Sequence, residues 1–281
     1  MQIVDHHVTE GGEFTIAPLG DIQYGAQGCS TSLLKKDITR IVKKKQHVIG
    51  MGDYTDPMSP SNRHALKVAA TGLYESTLDL IDGAVETMVG DLAKLMSRIK
   101  PERYMGLLGF DHGWEFQDGQ PSDALLARKL GTPYLGHSTI ISVHHDNFPE
   151  LRPLKIFATH GKGGSVSATG KTLHLERLMS SMDCDIVLMG HSHLKYGFTS
   201  VRLGTRIKQN GEARLYSESR IGAITGSYLK GYEANTSRGG WPAGSYVERA
   251  AMRPVPLGGV QIHCAPVEEE WGWEWELSVT A

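Results

Sequence analysis

Five nearly continuous apolar stretches recur along the chain, and each ends at a polar residue that can carry chemistry. Apolar character at every position, instead of at every second one, is typical of strands that are buried on both faces. The pattern predicts five core strands, each with Asp or His, and Gly close by, at its carboxyl end. The stretches are FTIAPLGD (14–21), HVIGMGD (47–53), YMGLLGFDH (104–112), LKIFATHG (154–161) and DIVLMGHSH (185–193).

Amphipathic segments lie between these runs and predict helices, because their apolar residues recur with the helical period. The three segments are 31–45, 84–100 and 169–182. In the first segment, the predicted buried face consists of Leu34, Ile38, Ile41 and Val42. Alternation of strands with helices predicts a layered α/β fold.

The last third of the chain has a different pattern. Residues 199–204, 213–219 and 221–228 read as short strands without helices between them. The tail, 268–279, alternates strictly, which predicts a strand with one buried face. An aromatic surface for homo-oligomerisation is the alternative interpretation of that face. The residues that share it are Trp271, Trp273, Trp275, Leu277 and Val279.

A long segment rich in Gly and Pro, residues 230–259, is predicted to be a loop. Loops of this length are usually functional or mobile. The chain has no internal repeat and no interdomain linker, so we expect residues 1–281 to form a single domain.

Composition excludes some classes of protein. The formal net charge is −2, so no global basic field attracts nucleic acid, although a local basic surface stays open. Three widely spaced cysteines favour a reducing compartment. The N-terminal sequence does not resemble a signal peptide, and no apolar window approaches the roughly 18 residues of a membrane span. We therefore expect a cytoplasmic protein.

The ends of the five predicted strands bring a particular set of side chains together. In parallel or mixed sheets the carboxyl ends of strands gather at one edge, where sites form. Three carboxylates and four imidazoles at one edge need a compensating cation, and this donor set suits Mn, Fe or Zn. The residues are Asp21, Asp53, Asp111, His112, His160, His191 and His193.

The order of the polar blocks resembles the calcineurin-like metallophosphoesterases. The blocks are GDIQ (20–23), GDYTD (52–56), FDH (110–112), THG (159–161) and GHSH (190–193). The resemblance implies a four-layer α-β-β-α sandwich, in which two facing mixed β-sheets are flanked by helices. It also implies two divalent metal ions, with Mn favoured and Fe, Zn, Ni or Mg as alternatives.

The resemblance also implies a role for each residue of the blocks. Asp21, Gln23 and His193 would hold the first ion. Asp111, His160 and His191 would hold the second, and Asp53 would bridge the two ions. His112 would act beside the metals as the acid or electrostatic partner, and Asp56 would orient its loop.

Two of the blocks depart from the family pattern. Gln23 stands where the family usually has His, and an amide oxygen is a weaker donor to Zn-like metals, so we expect a weaker first site. Asp111 stands where Asn is common, and Phe110 stands where Gly is common. A carboxylate at position 111 would tighten the second site; alternatively the alignment slips and Asp111 is not a ligand.

These features lead to the hypothesis of a metal-dependent phosphoester hydrolase that favours phosphodiesters. A water activated by the two metals would attack the phosphorus, and His112 would assist the leaving group. Lys162, Arg238 and Trp241 are candidates for substrate contact. The substrate would be a small nucleotide or another organic phosphodiester, or a nucleic-acid end if the chain is a nuclease.

The alternative to an enzyme is a metallophosphoesterase-fold binding scaffold with little catalysis, and Gln23 is the main support for this alternative. The segments GSYLKGY and SYVERAAMRPVPLGG, within 226–259, are similar to a segment of uncharacterised phosphoesterases from phages and bacteria. This similarity favours a bacterial or phage-infected cell as the setting.

Overall fold

Two mixed β-sheets lie face to face at the centre of the protein, in a computed structural model of the chain. The structure describes residues 1–57, 72–109, 113–161, 167–207, 211–235, 237–238, 240–242, 244–249, 251, 253–269 and 272–281. All five strands predicted from the apolar stretches are present. Each strand ends one to three residues before the polar residue of its stretch, so the candidate site residues that the structure describes lie on loops.

We number the elements along the described chain. The strands are β1 Gln2–Val8, β2 Phe14–Leu19, β3 His47–Gly50, β4 Tyr104–Leu108, β5 Tyr134–Gly136, β6 Ser138–His145, β7 Leu154–Thr159, β8 Ile186–Met189, β9 Lys195–Ile207, β10 Ala213–Ser227, β11 Ser237–Arg238, β12 Trp241–Pro242, β13 Gly258–Gly259, β14 Gln261–Glu269 and β15 Gly272–Thr280. The helices are α1 Thr31–Lys43, α2 Glu75–Met96, α3 Ser122–Leu130, α4 Ala168–Ser181 and α5 Tyr246–Arg249.

The two sheets have different strand orders. The six-stranded sheet has the order β15-β14-β2-β3-β4-β5, in which β2 to β5 are parallel and β14 and β15 are antiparallel to their neighbours. The seven-stranded sheet has the order β1-β6-β7-β8-β10-β13, with β9 paired to β10. Strands β2 and β3 in one sheet, and β7 and β8 in the other, are parallel neighbours and therefore end at the same edge of their sheet.

Three apolar clusters divide the protein into four layers. The cluster between the sheets includes Ile16 and Ile49 from one sheet and Ile156 and Ile186 from the other. A second cluster packs α1, α2 and α3 on the outer face of the six-stranded sheet. A third packs α4 on the outer face of the seven-stranded sheet. The predicted α-β-β-α architecture is therefore confirmed.

Two predictions about the helices need correction. The helix predicted at 84–100 begins earlier, at Glu75, and ends at Met96. On α1, Val42 is 41% exposed, so its predicted place on the buried face is wrong. The buried stripe is displaced towards Asp37, which is 5% exposed because its carboxylate accepts a hydrogen bond from the buried Tyr228 hydroxyl at 2.8 Å.

The three short strands predicted within 199–228 are two long strands in the structure. The segments 213–219 and 221–228 form one strand, β10, which pairs with β9 as a long hairpin. Arg220 does not interrupt this strand, because its guanidinium donates to the carbonyls of Cys184 and Met182 at 2.8 and 2.6 Å. A charged side chain in the middle of an apolar run can thus keep its strand when backbone acceptors lie within reach.

The C-terminal tail forms a hairpin and not a single strand. Residues 268–269 end β14, a strand that was not predicted, and β15 begins at Gly272. One face of β15 is buried as expected: Trp275 and Leu277 are buried, and Trp273 and Val279 pack partly against the cluster between the sheets. Trp271 lies outside the described residues.

The predicted loop at 230–259 contains short elements. Strands β11 and β12 form a small hairpin, α5 follows, and β13 joins the edge of the seven-stranded sheet beside β10. In the described part of the chain, no helix has both the length and the apolar character that a bilayer crossing needs.

Candidate metal centre

Four strand ends from both sheets meet at one place and carry the candidate site residues. Asp21 and Gln23 follow β2, and Asp53 follows β3, in the six-stranded sheet. His160 follows β7, and the histidines at 191 and 193 follow β8, in the seven-stranded sheet. The site is therefore built where the edges of the two sheets come together.

Asp53, His160 and His191 form the first group of donor atoms. The Nε2 atom of His160 lies 3.3 Å from Oδ2 of Asp53 and 3.3 Å from Nδ1 of His191. One donor atom from each residue falls within 4.8 Å of the others. This spacing is suitable for a single ion held by one carboxylate and two imidazoles.

Asp21, Gln23 and His193 form a second group beside the first. The Nε2 atom of His193 lies 3.3 Å from Oδ1 of Asp21 and 3.1 Å from Nε2 of Gln23. The two groups are joined by a hydrogen bond of 3.0 Å from the backbone N–H of His191 to Oδ2 of Asp21. Six predicted ligands are thus brought into one contiguous cluster.

The backbone at these ligands is held in an uncommon conformation. Five of the six clustered residues have a positive φ in the left-handed region, which costs about 1–3 kcal/mol for a residue with a side chain. The five are Asp21 (48°), Gln23 (51°), Asp53 (53°), His191 (62°) and His193 (56°). Strain of this kind persists where the surrounding structure imposes it, and it clusters at functional sites.

Two glycines let the strand-end loops approach His160 closely. A Cβ atom on Gly52, where φ is +92°, would lie 2.7 Å from Nδ1 of His160, and one on Gly190 would lie 3.2 Å from the same atom. Neither distance leaves room for a side chain without displacement of the imidazole. The glycines in GDYTD and GHSH therefore create the space in which His160 sits.

The tautomer of His160 is set by the backbone. Its Nδ1 atom lies 2.6 Å from the carbonyl oxygen of Met51 and donates to it, so the lone pair of the neutral imidazole is on Nε2, which faces the cluster. Burial alone would lower the pKa of His160, but hydrogen bonds and charge from Asp53, Asp21 and the Met51 carbonyl raise it to about 9. The surroundings of Nε2 thus favour a positive charge at this position.

Asp21 provides the clearest test of whether a cation fits. Its side chain is fully buried, and its Oδ1 atom accepts no hydrogen bond from the described part of the chain. An ionised carboxylate in such a place needs a positive partner. The donor set therefore fits a divalent ion.

The backbone of Asp21 is also held in place. Its carbonyl oxygen accepts hydrogen bonds from the Ser227 hydroxyl, at the end of β10, and from the Tyr228 amide, directly after β10, both at 3.0 Å.

Gln23 is 2% exposed and points to the same place as His193. As assigned, its amide nitrogen donates to the His193 ring, although exchange of the amide O and N atoms would direct the oxygen there. With the nitrogen forward, the lone pair of His193 is occupied; with the oxygen forward, both side chains can bind one ion. The Gln23 amide can therefore act either as a hydrogen-bond donor to His193 or as an oxygen ligand of the ion.

The remaining predicted site residues are not part of the cluster that the structure describes. Asp111, His112 and Lys162 lie outside the described residues, so their assigned roles stay predictions. Arg238 and Trp241 pair across the β11–β12 hairpin, where the Trp241 side chain is 77% exposed. Asp56, predicted to orient its loop, is buried, and its backbone N–H donates to the Tyr24 carbonyl at 2.9 Å.

Sequence reasoning missed Lys171 in the first turn of α4. Its ammonium donates to the carbonyl of Ser192, between the histidines of GHSH, at 2.9 Å. No periodicity or spacing in the sequence signals this contact, because Lys171 is 21 residues away from Ser192 and reads as an ordinary helix lysine. The support of Asp21 by Ser227 and Tyr228 was missed for the same reason.

The fold and the cluster define an α-β-β-α sandwich with a candidate cation site at its strand ends. No protein-family model and no curated protein matches the chain. Solved structures similar to it include Vps29 from Chaetomium thermophilum, with 12% identity over 95% of this chain and 97% of that one and a TM-score of 0.38.

Two further structures are similar to a comparable extent. Vps29 from Entamoeba histolytica, complexed with Zn²⁺, has 12% identity over 95% and 99% of the two chains and a TM-score of 0.36. A conserved uncharacterized protein from Streptococcus pneumoniae, titled a predicted phosphoesterase, has 11% identity over 96% and 100% and a TM-score of 0.35. Similarity at this level carries no argument about activity, so the case for a function rests on this chain's own residues.

Proposed function

We propose that the chain is a metal-dependent phosphoester hydrolase of the calcineurin-like metallophosphoesterase type, with phosphodiesters as its preferred substrates. One observation carries this proposal: strand-end carboxylates and imidazoles from both sheets meet in one strained and largely buried cluster, in the block order of that family. Residues 1–281 are treated as one domain, since the apolar cluster between the sheets draws on residues from Val8 to Leu277.

The six clustered residues are assigned to two ions. Asp53, His160 and His191 would hold one ion, with Asp111 as the further ligand that the family resemblance implies. Asp21, Gln23 and His193 would hold the other, and Asp53 would lie between them. Mn is favoured, with Fe, Zn, Ni and Mg as alternatives, because carboxylate and imidazole donors suit this set of ions.

Bound divalent ions supply Lewis-acid chemistry to phosphoester hydrolysis, by polarising the phosphoryl oxygen and lowering the pKa of water. The chain's own residues prepare the site for this chemistry. The Met51 carbonyl keeps the Nε2 lone pair of His160 directed inward, and the His191 amide fixes one oxygen of Asp21 so that the other faces the cluster. His112 would protonate the leaving oxygen, as its place in the FDH block implies.

A phosphodiester with an attached base or other organic group would use residues beyond the metal ligands. Lys162, next to the THG block, would neutralise phosphate charge. The exposed Trp241 can stack on a nucleobase, and Arg238 is its cross-strand neighbour. Small nucleotides and nucleic-acid ends are both compatible with this assignment.

Hydrolysis of two chromogenic esters tests the proposal. The full chain, stripped with EDTA, would be assayed on bis-p-nitrophenyl phosphate and on p-nitrophenyl phosphate after each of the five metals is restored. We expect turnover to depend on added metal and to be faster for the diester. A chain that hydrolyses neither ester with any of the metals near neutral pH would contradict the enzymatic proposal.

The second candidate function is that of a metallophosphoesterase-fold binding scaffold. The contact of 3.1 Å between the Gln23 amide and Nε2 of His193 favours it, because in the orientation with the amide nitrogen forward its N–H would occupy a metal-binding lone pair. Binding of one ion without turnover of either ester would support the scaffold. Two bound ions together with diester turnover would exclude it.

A further inference from the structure

Lys171 makes a contact that the proposed function does not use. Its side chain is partly buried in the first turn of α4, and its ammonium donates to the carbonyl oxygen of Ser192 at 2.9 Å. Ser192 separates His191 from His193, so the ammonium holds the backbone at the midpoint between two proposed ligands.

The turn that carries the two histidines is tight and strained. The backbone N–H of Ser192 donates to the carbonyl of Gly190, two residues earlier, at 2.7 Å. The histidines on either side of Ser192 both have a positive φ. This backbone differs from that of an extended strand, and it allows both imidazoles to face the cluster.

The ends of this turn are held by backbone bonds, whereas its interior is held by two side chains: Asp21 accepts from the His191 amide and Lys171 donates to the Ser192 carbonyl. At one end, the N–H of Gly190 donates to a carbonyl of β7 at 3.2 Å. At the other, the carbonyl of Leu194 accepts from the N–H of Gly226 in β10 at 3.1 Å. Between them, the Lys171 ammonium is the donor to Ser192 within the described chain. A hydrogen bond from a charged donor is stronger than one between neutral groups.

We propose that Lys171 is a positioning residue that holds the His191–Ser192–His193 turn in the conformation presenting both imidazoles to the metal ions. This role rests on the proposed metal site and adds a residue to it that no sequence motif contains. Lys171 touches neither the metals nor the reacting atoms in this assignment. It acts through the backbone of Ser192.

The charge of Lys171 and its positioning role predict opposite changes in metal affinity when Lys171 is removed. The ammonium is a cation close to a cation site, so its charge alone opposes metal binding. If charge were its main effect, removal of Lys171 would raise the affinity for a divalent ion. If positioning dominates, removal would lower the affinity, as loss of an outer-shell partner does, by roughly 10–100-fold.

Calorimetric titration of the stripped full chain with Mn²⁺ tests this role in Lys171→Met and Lys171→Arg. We expect weaker binding in Lys171→Met by about tenfold or more, and recovery to near the unmodified affinity in Lys171→Arg, which restores a charged donor. The control is Lys94→Met, which removes the same charge from an exposed lysine on α2 that pairs with Asp91. Lys171→Gln, with a neutral donor, replaces the methionine variant if that variant does not fold.

The outcomes separate the two proposals. Unchanged or tighter binding in Lys171→Met would overturn the positioning role and leave the metal site intact. Equal weakening in Lys171→Met and Lys171→Arg would also overturn it, because the restored donor would have no effect. Failure of the unmodified chain to bind any divalent ion would overturn the proposed function, and the role of Lys171 with it.

Discussion

The Nε2 atom of His160 lies 3.3 Å from Oδ2 of Asp53, although the two residues follow strands of different sheets. Both side chains are fully buried, so water does not screen the attraction between them. The contact fastens the edges of the two sheets at the point where the candidate ligands converge. A change at Asp53 should therefore affect both the donor set and its geometry.

Replacement of Asp53 by asparagine is expected to remove most metal binding. The amide keeps the shape of the side chain but loses the charge that faces His160 and that both ions would share. Affinity for Mn²⁺ should fall by more than the roughly 10–100-fold that loss of an outer-shell partner costs. Calorimetric titration of the stripped protein near neutral pH measures this change.

Asp91→Asn is the matched control, because Asp91 is half-exposed and pairs with Lys94 on the surface of α2 at 2.9 Å. It should bind Mn²⁺ and turn over the diester like the unmodified chain. Full metal affinity and full activity in Asp53→Asn would show that the donor set has been assigned wrongly.

Gln23→His is expected to strengthen the first site. An imidazole is a better donor than an amide to Zn²⁺ and related ions, and position 23 already faces His193. Because the first site is expected to be the weaker one, it should fill with the second equivalent of Zn²⁺. The affinity for that second equivalent should rise by about tenfold, or roughly 1.4 kcal/mol. Titration with Zn²⁺, checked by elemental analysis of the desalted protein, gives affinity and stoichiometry.

A null result at position 23 is equally informative. If the histidine variant binds the same number of ions with the same affinities, then Gln23 does not weaken a metal site. Asn235→His, a replacement of another amide residue that has a positive φ, is the control for nonspecific binding by an added imidazole.

The clustering of the described candidate ligands could be predicted from sequence because they lie at strand ends. Apolar runs locate the strands, and the topology of a mixed sheet then brings Asp21, Asp53 and His160 together. Contacts between distant segments could not be predicted this way. The burial of Asp37 on α1 is accompanied by a hydrogen bond from Tyr228, which is 191 residues away, and no local period encodes that contact.

A buried pair of histidines that is not part of the candidate ligand set is expected to make stability depend on pH. Nε2 of His6 lies 2.8 Å from Nδ1 of His47, and Arg103 lies 3.1 Å from the other nitrogen of His47. Burial is the main cause that lowers the pKa of His6 to about 4 and that of His47 to about 3. Positive charge on neighbouring histidines and on Arg103 acts in the same direction, while Glu10 opposes the effect at His47.

The sign of this dependence follows from the direction of the pKa shifts. Unfolded histidines take up protons below about pH 6.5, whereas the folded pair stays neutral down to about pH 4, so the free energy of unfolding should fall as the pH drops. The loss between about pH 7.5 and pH 5 should be on the order of 2–4 kcal/mol. Urea unfolding followed by circular dichroism at several pH values measures it.

His47→Asn should reduce this slope, whereas His144→Gln should keep it, because His144 is on an exposed face and pairs with Asp5. The slope is the decisive quantity, since either variant can shift the absolute stability. A slope unchanged in His47→Asn would show that other groups cause the acid sensitivity.

Gly52→Ala is expected to damage the site through a single methyl group. The backbone at Gly52 has a φ of +92°, which a residue with a side chain rarely adopts, and the new Cβ would lie 2.7 Å from Nδ1 of His160. The imidazole must then move away from the Met51 carbonyl that fixes its tautomer. We expect a loss of at least about 1–2 kcal/mol of stability from the backbone strain and a fall in Mn²⁺ affinity of about tenfold or more.

Gly83→Ala is the matched control for this methyl group. Gly83 lies within α2 with nothing within 4 Å of the added Cβ, so alanine there should stabilise the helix by up to about 1 kcal/mol. Thermal unfolding and Mn²⁺ titration of both variants compare the two positions. Equal behaviour would mean that the approach of Gly52 to His160 has no functional consequence, because the same methyl group would then be tolerated beside the imidazole as well as on an open helix face.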